Sequence, residues 1–258
     1  MTDFLKLAVL KRNLDLDPKA PIEEALSRLD LLRDGNLTNA AILLFGKNPQ
    51  KFVLQAFTQC GKFKGVDTLE FEDMHDFKAS IIDQRDDALR FAEKHIRRSA
   101  RIEGSERVEE FEYPIESIRE AITNAICHRD YRINSSVQIR IFDDRMEIWG
   151  CGPLPEPLTV EDLKNQHESI RRNPLIAEFF FKIGFIERWG TGTQRIIDFC
   201  LEQGLPEPLF EIKSGSLVVT LRKYKFIETK KSELSIRQQR AIDYLLKHGK
   251  ITNSQYKE

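Results

Sequence analysis

The sequence predicts an α+β fold, a two-layer α/β sandwich whose mixed, mostly antiparallel sheet carries its helices mainly on one face, with a small helical segment at the C-terminus. Three observations point there. Strand and helix patterns follow one another without a regular βα alternation. Paired strand patterns joined by short turns recur, at 136–149 and 209–222. Apolar residues at helical spacing fill the stretches near 76–101, 114–128 and 193–203.

Residues 1–36 alternate short helical patterns with punctuation at Asp15 to Pro21 and at Asp34-Gly35. Thr38 or Asn39 then caps a short apolar helix that Gly46 closes. Strands are expected at about Phe52–Cys60 and Val66–Glu72, with Gly61 and Gly65 in the connection. Phe77, Ile81, Ala88, Ala92 and Ile96 predict one long amphipathic helix from Asp76 to about Arg101. A strand near Arg107–Phe111 leads to Pro114, which suits a helix start, and that helix runs to about Cys127. Ser136–Phe142 and Met146–Trp149 form a hairpin around Asp143-Asp144-Arg145, and Gly150 to Pro155 is a loop. Pro174 starts an apolar helix to about Lys182. Gly190-Thr191-Gly192 opens another, which Gly204 closes. Leu209–Lys213 and Leu217–Arg222 make a last hairpin, and Ile236, Ala241, Ile242 and Leu245 begin a new helical pattern near the end.

Composition narrows the class. The chain has 258 residues, of which 41% are hydrophobic and 9% aromatic, the balance of an ordinary globular fold. Its longest apolar runs, Ala40 to Phe45 and Phe179 to Phe181, fall far short of the ~20 residues that cross a bilayer, and no charged start with an apolar stretch opens the chain. A cytoplasmic protein with no membrane partner is expected. Cys60, Cys127, Cys151 and Cys200 are widely separated, without a CxxC, so buried reduced thiols are expected rather than disulfides or zinc ligands. The net charge of −1 conceals an asymmetry: residues 213–258 carry +7 and the rest −8. A basic tail on an acidic body suits contact with phosphates, and it is also the pattern of a solvated linker.

The chemistry concentrates on the helix after Pro114. Glu120, Asn124 and His128 recur at every fourth position and fall within an ~80° arc, while Ile115, Ile118, Ile122 and Ile126 centre on the opposite side. An amide oxygen suits Mg²⁺, a carboxylate can take a proton from water, and stacked with an imidazole they can hold a metal-bound phosphate. The same spacing also describes the wet side of an amphipathic helix. Gly150-x-Gly152 follows a strand. Gly190-x-Gly192 opens a helix whose first N–H groups can cradle phosphate oxygens, though such pairs also serve as packing and capping devices.

Several motifs in order, across about Leu37–Arg222, resemble a known family: Pro114 to Ala125 with His128-Arg129-Asp130-Tyr131, then Asp144 to Ile148, Gly152-Pro153-Leu154-Pro155, Arg172-Asn173-Pro174 and Gly190-Thr191-Gly192. They look like transcriptional regulators with a divergent GHKL-type (Bergerat-like) ATPase module, often labelled RecG-like. The resemblance implies ATP and Mg²⁺ as cofactors, Glu120 as general base and Asn124 as Mg²⁺ ligand. It places His128 in the nucleotide site, Gly150 and Gly152 on the adenine side, and Gly190, Thr191 and Gly192 on the phosphate side. It further implies that 1–48 is the trailing edge of a Schlafen/AlbA-like domain, that 49–225 is the ATPase module, and that 226–258 is a basic linker with the truncated start of a winged helix-turn-helix. Ile148 departs from the superfamily, which reads adenine with an Asp at that position, because an aliphatic side chain cannot accept the adenine amino proton.

Two other assignments fail on spacing. His128-Arg129-Asp130 reaches Asn134 one residue too soon for a kinase catalytic loop, and the glycine pairs lack the third glycine of a dinucleotide fingerprint. No GxxxxGK[ST] occurs, so a helicase motor is not expected, although weak ATPase activity is compatible with Glu120. The expected function is a transcriptional regulator whose module binds ATP and couples to DNA through a complete winged helix, with weak DNA binding by this chain and a homodimer as its assembly. The alternative is a degenerate module that binds no nucleotide and serves as a dimerisation or interaction scaffold.

Overall fold

The computed structural model describes residues 1–103 apart from 13, 14, 16 and 18, then 106–188, 190–223 and 235–248. The chain opens with helices α1 (Thr2–Arg12) and α2 (Ile22–Arg28), a small pair of strands β1 (Leu32–Arg33) and β2 (Asn36–Leu37), and helix α3 (Asn39–Phe45). Strands β3 (Thr58–Phe63) and β4 (Phe71–Phe77), helix α4 (Ile81–His95), strands β5 (Arg98–Glu103) and β6 (Glu106–Phe111) and helix α5 (Ile115–Cys127) follow. Then come β7 (Val137–Ile141), β8 (Arg145–Trp149), helices α6 (Pro174–Lys182) and α7 (Gly192–Glu202), strands β9 (Leu209–Lys213) and β10 (Ser216–Arg222), and helix α8 (Ile236–His248).

Six strands form one sheet in the order β4-β3-β7-β8-β10-β9. Only β3 and β7 run parallel, the others being antiparallel, so the sheet is mixed and mostly antiparallel as the sequence predicts. Side chains alternate faces along a strand, and here the alternation is clean. Cys60, Ile139, Ile141, Met146, Ile148, Val219 and Leu221 turn to one face and are all buried. On that face α4 packs against β3, β4 and β7, α5 against β7 and β8, and α7 against α5. The other face carries Gln138, Arg140, Glu147 and Trp149. Arg140 lies over the Trp149 ring at 4.1 Å, and Trp149 donates to Glu147 at 2.9 Å.

Local chemistry explains the boundaries. Thr38 caps α3 by accepting the Ala41 N–H at 3.2 Å, and Pro174 occupies the first turn of α6. The hairpin expected at 52–72 exists but is displaced. Residues 49–51 form a 3₁₀ turn, the first strand starts at Thr58, and Gly61 lies inside it, with the Phe63 ring 3.0 Å from where a Cβ would stand. The long helix expected over 76–101 is only α4. Phe77 belongs to β4, where it shares a face with His75 and stacks on it at 5.9 Å, so a period-two contact imitated a helical one. Ser80 then caps α4 by accepting the Asp83 N–H, and the extended backbone of Ile96 ends it before β5 pairs with β6 in a separate hairpin. Strands β1 and β2 have no counterpart in the sequence reading. The helical pattern from Ile236 is α8, whereas the basic linker and the second helix start at 251–253 lie outside the described residues.

The N-terminal segment shares the core. Phe4 of α1 lies 5.3 Å from Phe45 and 4.9 Å from Phe179 of α6, and is 5% exposed. Removing a buried phenylalanine ring costs about 3–5 kcal/mol. Phe4→Ala is therefore expected to lower the midpoint of a single cooperative melting transition, measured by circular dichroism. Two separated transitions, with the main one unmoved, would show that residues 1–48 fold independently of the sheet.

Candidate functional site

A cleft of about 1100 Å³, including space open to solvent, lies between α5, α7, the helical face of the sheet and the segment 150–170. Helix α5 sets its geometry. Ile118, Ala121, Ile122 and Ile126 anchor one side of the helix in the core, which turns Glu120, Asn124 and His128 toward the cleft. Ser117 ties α5 to α7 by donating to the Ile196 carbonyl at 3.0 Å. The face is thus neither core nor open surface: Glu120, Asn124 and His128 are each half-buried.

Helix α7 packs along α5 and begins at this face. Its first residue, Gly192, lies so close that a Cβ there would overlap Glu120 Oε1 and come within 3.2 Å of Asn124 Nδ2. Gly190 is held at φ +68°, and a Cβ on it would collide with the His167 carbonyl oxygen. His167 in turn bonds Thr193 Oγ1 through Nε2 at 3.2 Å, so the 165–170 segment and the start of α7 fix one another. The glycine-rich turn at the other end is held from behind. The Gly150 N–H donates to Leu217 O at 2.8 Å, Leu217 N–H to Gly152 O at 3.2 Å, and Asp130 N–H to Cys151 O at 2.8 Å. Asn173 Nδ2 donates to the carbonyls of Cys127 and Arg129, both at 2.8 Å, and Arg172 reaches Asp130 at 3.2 Å. Arg132 and Arg172 hold the Asp130 carboxyl well below the usual range.

Within the cleft, Asn124 Nδ2 donates to Glu120 Oε1 at 3.1 Å. Burial pushes the Glu120 carboxyl up, against the opposing pull of Arg195 and of that hydrogen bond. Burial also pushes His128 down to about 4, helped by Arg172, Arg171 and His167, so the imidazole is neutral at pH 7. The inner end is apolar: Ala125, Ile148, Phe210, Leu217 and Val219 line it. All four cysteines are buried free thiols, and burial raises Cys127 to about 12.

Of the eight residues singled out from the sequence, Glu120, Asn124, His128, Gly150, Gly152, Gly190 and Gly192 line this one cleft. Thr191 lies outside the lining and precedes α7 without a side-chain cap, while Thr193 lines the cleft and bonds His167. His167, Arg195 and Glu187 also line the cleft and were not foreseen. Their separation from α5 by 40 residues or more leaves no spacing to read, and the nearest signals were Arg172-Asn173-Pro174 after His167 and Gly190-Thr191-Gly192 between Glu187 and Arg195.

Residues 134–221 match the family model described as "Putative ATP-dependent DNA helicase recG C-terminal". This part of the chain is therefore similar to a RecG-like ATPase-type module. The match holds β7, β8, both glycine segments and α7, and it begins after α5, so Glu120, Asn124 and His128 precede it. Among solved structures, the fold resembles that of the DIP2311 protein from Corynebacterium diphtheriae. The TM-score is 0.69 and the identity 22%, over 85% of this chain and 44% of that one. The chain thus spans less than half the length of that protein, and the likeness is one of fold. Comparison with curated proteins gives no match.

The state of His128 has a measurable consequence. Its folded pKa lies below the ordinary value of 6.5, so the stability it contributes is complete above that value and is lost as pH falls through about 4. A full proton of difference makes the slope up to about 1.4 kcal/mol per pH unit. His128→Gln is expected to flatten the decline in urea-unfolding stability between pH 6.5 and 4. An unchanged slope would mean that the imidazole titrates normally.

Proposed function

We propose that the cleft is a nucleotide site of the divergent GHKL type, and that it takes ATP with Mg²⁺ in a DNA-binding transcription regulator. The observation that carries this reading is the convergence of the α5 row with the N-terminus of α7. A carboxylate and an amide stand on adjacent turns, and an 11-residue helix begins beside them at a glycine that lines the cleft, its first N–H groups without intrahelical partners. The similarity of residues 134–221 to a RecG-like ATPase-type module supports it.

The donor set fits the implied cofactor. Asn124 turns its Nδ2 to Glu120, which leaves the amide Oδ1 as a hard oxygen donor for Mg²⁺. When bound, the ion supplies charge neutralisation at the phosphates. Glu120 holds a carboxylate whose raised affinity for protons suits it to accept one from water. Gly190, Gly192 and Thr193 border the phosphate end, and Gly150 and Gly152 the base end. With no GxxxxGK[ST] in the sequence, the activity proposed is nucleotide binding with at most slow hydrolysis, not a helicase motor.

In this reading residues 49–225 are the module, 1–48 the trailing edge of a Schlafen/AlbA-like domain, and 226–258 the linker and start of a winged helix. The regulator acts as a cytoplasmic homodimer on DNA. Among the described residues no helix is long and apolar enough to cross a membrane. The +7 charge of residues 213–258 supports a DNA-facing end. One observation favours the second reading, a scaffold without nucleotide: Glu120 and Asn124 already satisfy each other across 3.1 Å.

Thermal shift separates the two. A ligand at ~100 times its Kd stabilises the folded state by about 2.7 kcal/mol. Millimolar Mg-ATP is therefore expected to raise the Tm of the wild type by several degrees. Asn124→Ala should abolish the Mg²⁺-dependent part of that shift. Glu120→Gln should keep the shift while removing any phosphate release. No shift in the wild type, with a flat calorimetric titration, selects the scaffold.

A further inference from the structure

From the lining of the inner cleft, and resting on the nucleotide reading above, we infer that this site does not distinguish nucleotides by base, and that Ile148 is the residue that makes it so. Adenine and cytosine present an exocyclic amino donor where guanine and uracil present a carbonyl acceptor. To tell them apart, a site needs a group that only accepts or only donates, held beside that edge.

The inner end supplies none from its side chains. Ala125, Ile148, Phe210, Leu217 and Val219 are apolar, and Ile148 is 1% exposed at the centre of the sheet, between Ile139 and Val219 in register. Part of the backbone around them is already committed: Gly150 N–H to Leu217 O, Leu217 N–H to Gly152 O, and Cys151 O to Asp130 N–H. The two carboxylates of the lining are engaged elsewhere, Glu120 by Asn124 and Glu187 by both Arg12 Nη2 contacts at 3.1 and 3.2 Å.

Arg195, which only donates, stands near the start of α7 where its charge acts on Glu120, and His167 is taken up by Thr193 and the Glu168 carbonyl; the other side chains that can hydrogen-bond at the cleft are of a permissive kind. His128 is neutral, and a neutral imidazole carries one donor and one acceptor nitrogen that exchange with the tautomer. Ser169 is a hydroxyl that donates or accepts as it rotates. Such groups satisfy an amino or a carbonyl edge alike. The base is held by apolar contact, which is indifferent to those edges, while recognition falls to the phosphate end at Asn124, Thr193 and the N-terminus of α7.

The experiment is calorimetric titration of the 258-residue chain with Mg²⁺ and ATP, GTP, CTP or UTP in turn. The expected result is binding of ATP and GTP with Kd values within about threefold of each other, with the pyrimidine nucleotides binding as well. An ATP preference of tenfold or more over GTP overturns the inference and leaves the nucleotide site standing. No binding by any of the four overturns the nucleotide reading itself, and the inference with it. Ile148→Asp places one carboxylate, which only accepts, at the inner end and, by the ordinary worth of one hydrogen bond, is expected to favour ATP over GTP by about tenfold. A folded Ile148→Asp protein, checked by its melting transition, that binds both equally would show that base edges do not reach residue 148 and would overturn the assignment of that residue. The wild-type ratio tests the inference even where the variant fails to fold.

Discussion

The approach of α7 to α5 at Gly192 is the contact on which the rest of the site depends. A helix end brings uncompensated N–H groups, and a buried carboxylate brings uncompensated charge, so each lowers the cost of the other being withdrawn from water. Gly192 can carry no side chain here, because a Cβ on it would overlap Glu120 Oε1. That meeting sets how α7 sits on α5. Ser117 and Ile196 hold it from the core side, and His167 with Thr193 from the cleft side.

Around this contact the chain uses two polar staples to hold apolar layers in place. Asn173 closes the end of α5 by donating to the carbonyl of its last residue, Cys127, which a helix otherwise leaves without a partner, and to that of Arg129 just beyond it. Arg172 and Arg132 pin Asp130, and Asp130 in turn fixes the Cys151 carbonyl. The glycine-rich turn therefore sits at a fixed height over the sheet, and the cleft exists because sheet, α5 and turn are held apart at three corners. Its two ends differ in chemistry for the same reason. The sheet contributes only the aliphatic side chains of its buried face, and the helix ends contribute the polar groups.

Much of this was legible in the sequence where one element carries the whole signal. The i, i+4, i+8 row on α5 declared its own geometry, since 3.6 residues per turn aligns such positions without help from the rest of the chain. Helix α6, opened by Pro174, and the hairpins β7–β8 and β9–β10 were equally local. The failures came where tertiary contact outvoted pattern. Phe77 and Ile81 stand four apart and read as helix, yet the first pairs across β3 and β4 and only the second belongs to α4. Gly61 looked like a turn residue, yet it sits inside a strand under the Phe63 ring. His167, Arg195 and Glu187 reach the cleft through loops and helix ends whose placement no periodicity encodes.

The central claim is that one cleft, bounded by α5, the inner sheet and the start of α7, receives the ligand. Isoleucine methyl groups report on it directly, because Ile148, Ile170, Ile186 and Ile196 line the cleft, whereas Ile22 and Ile81 do not. On titrating Mg-ATP into isoleucine-methyl-labelled protein, the account predicts chemical-shift changes that begin at those four methyl groups and leave Ile22 and Ile81 in place. Changes confined to Ile22, Ile81 or Ile236, or no changes at saturating nucleotide, would contradict it.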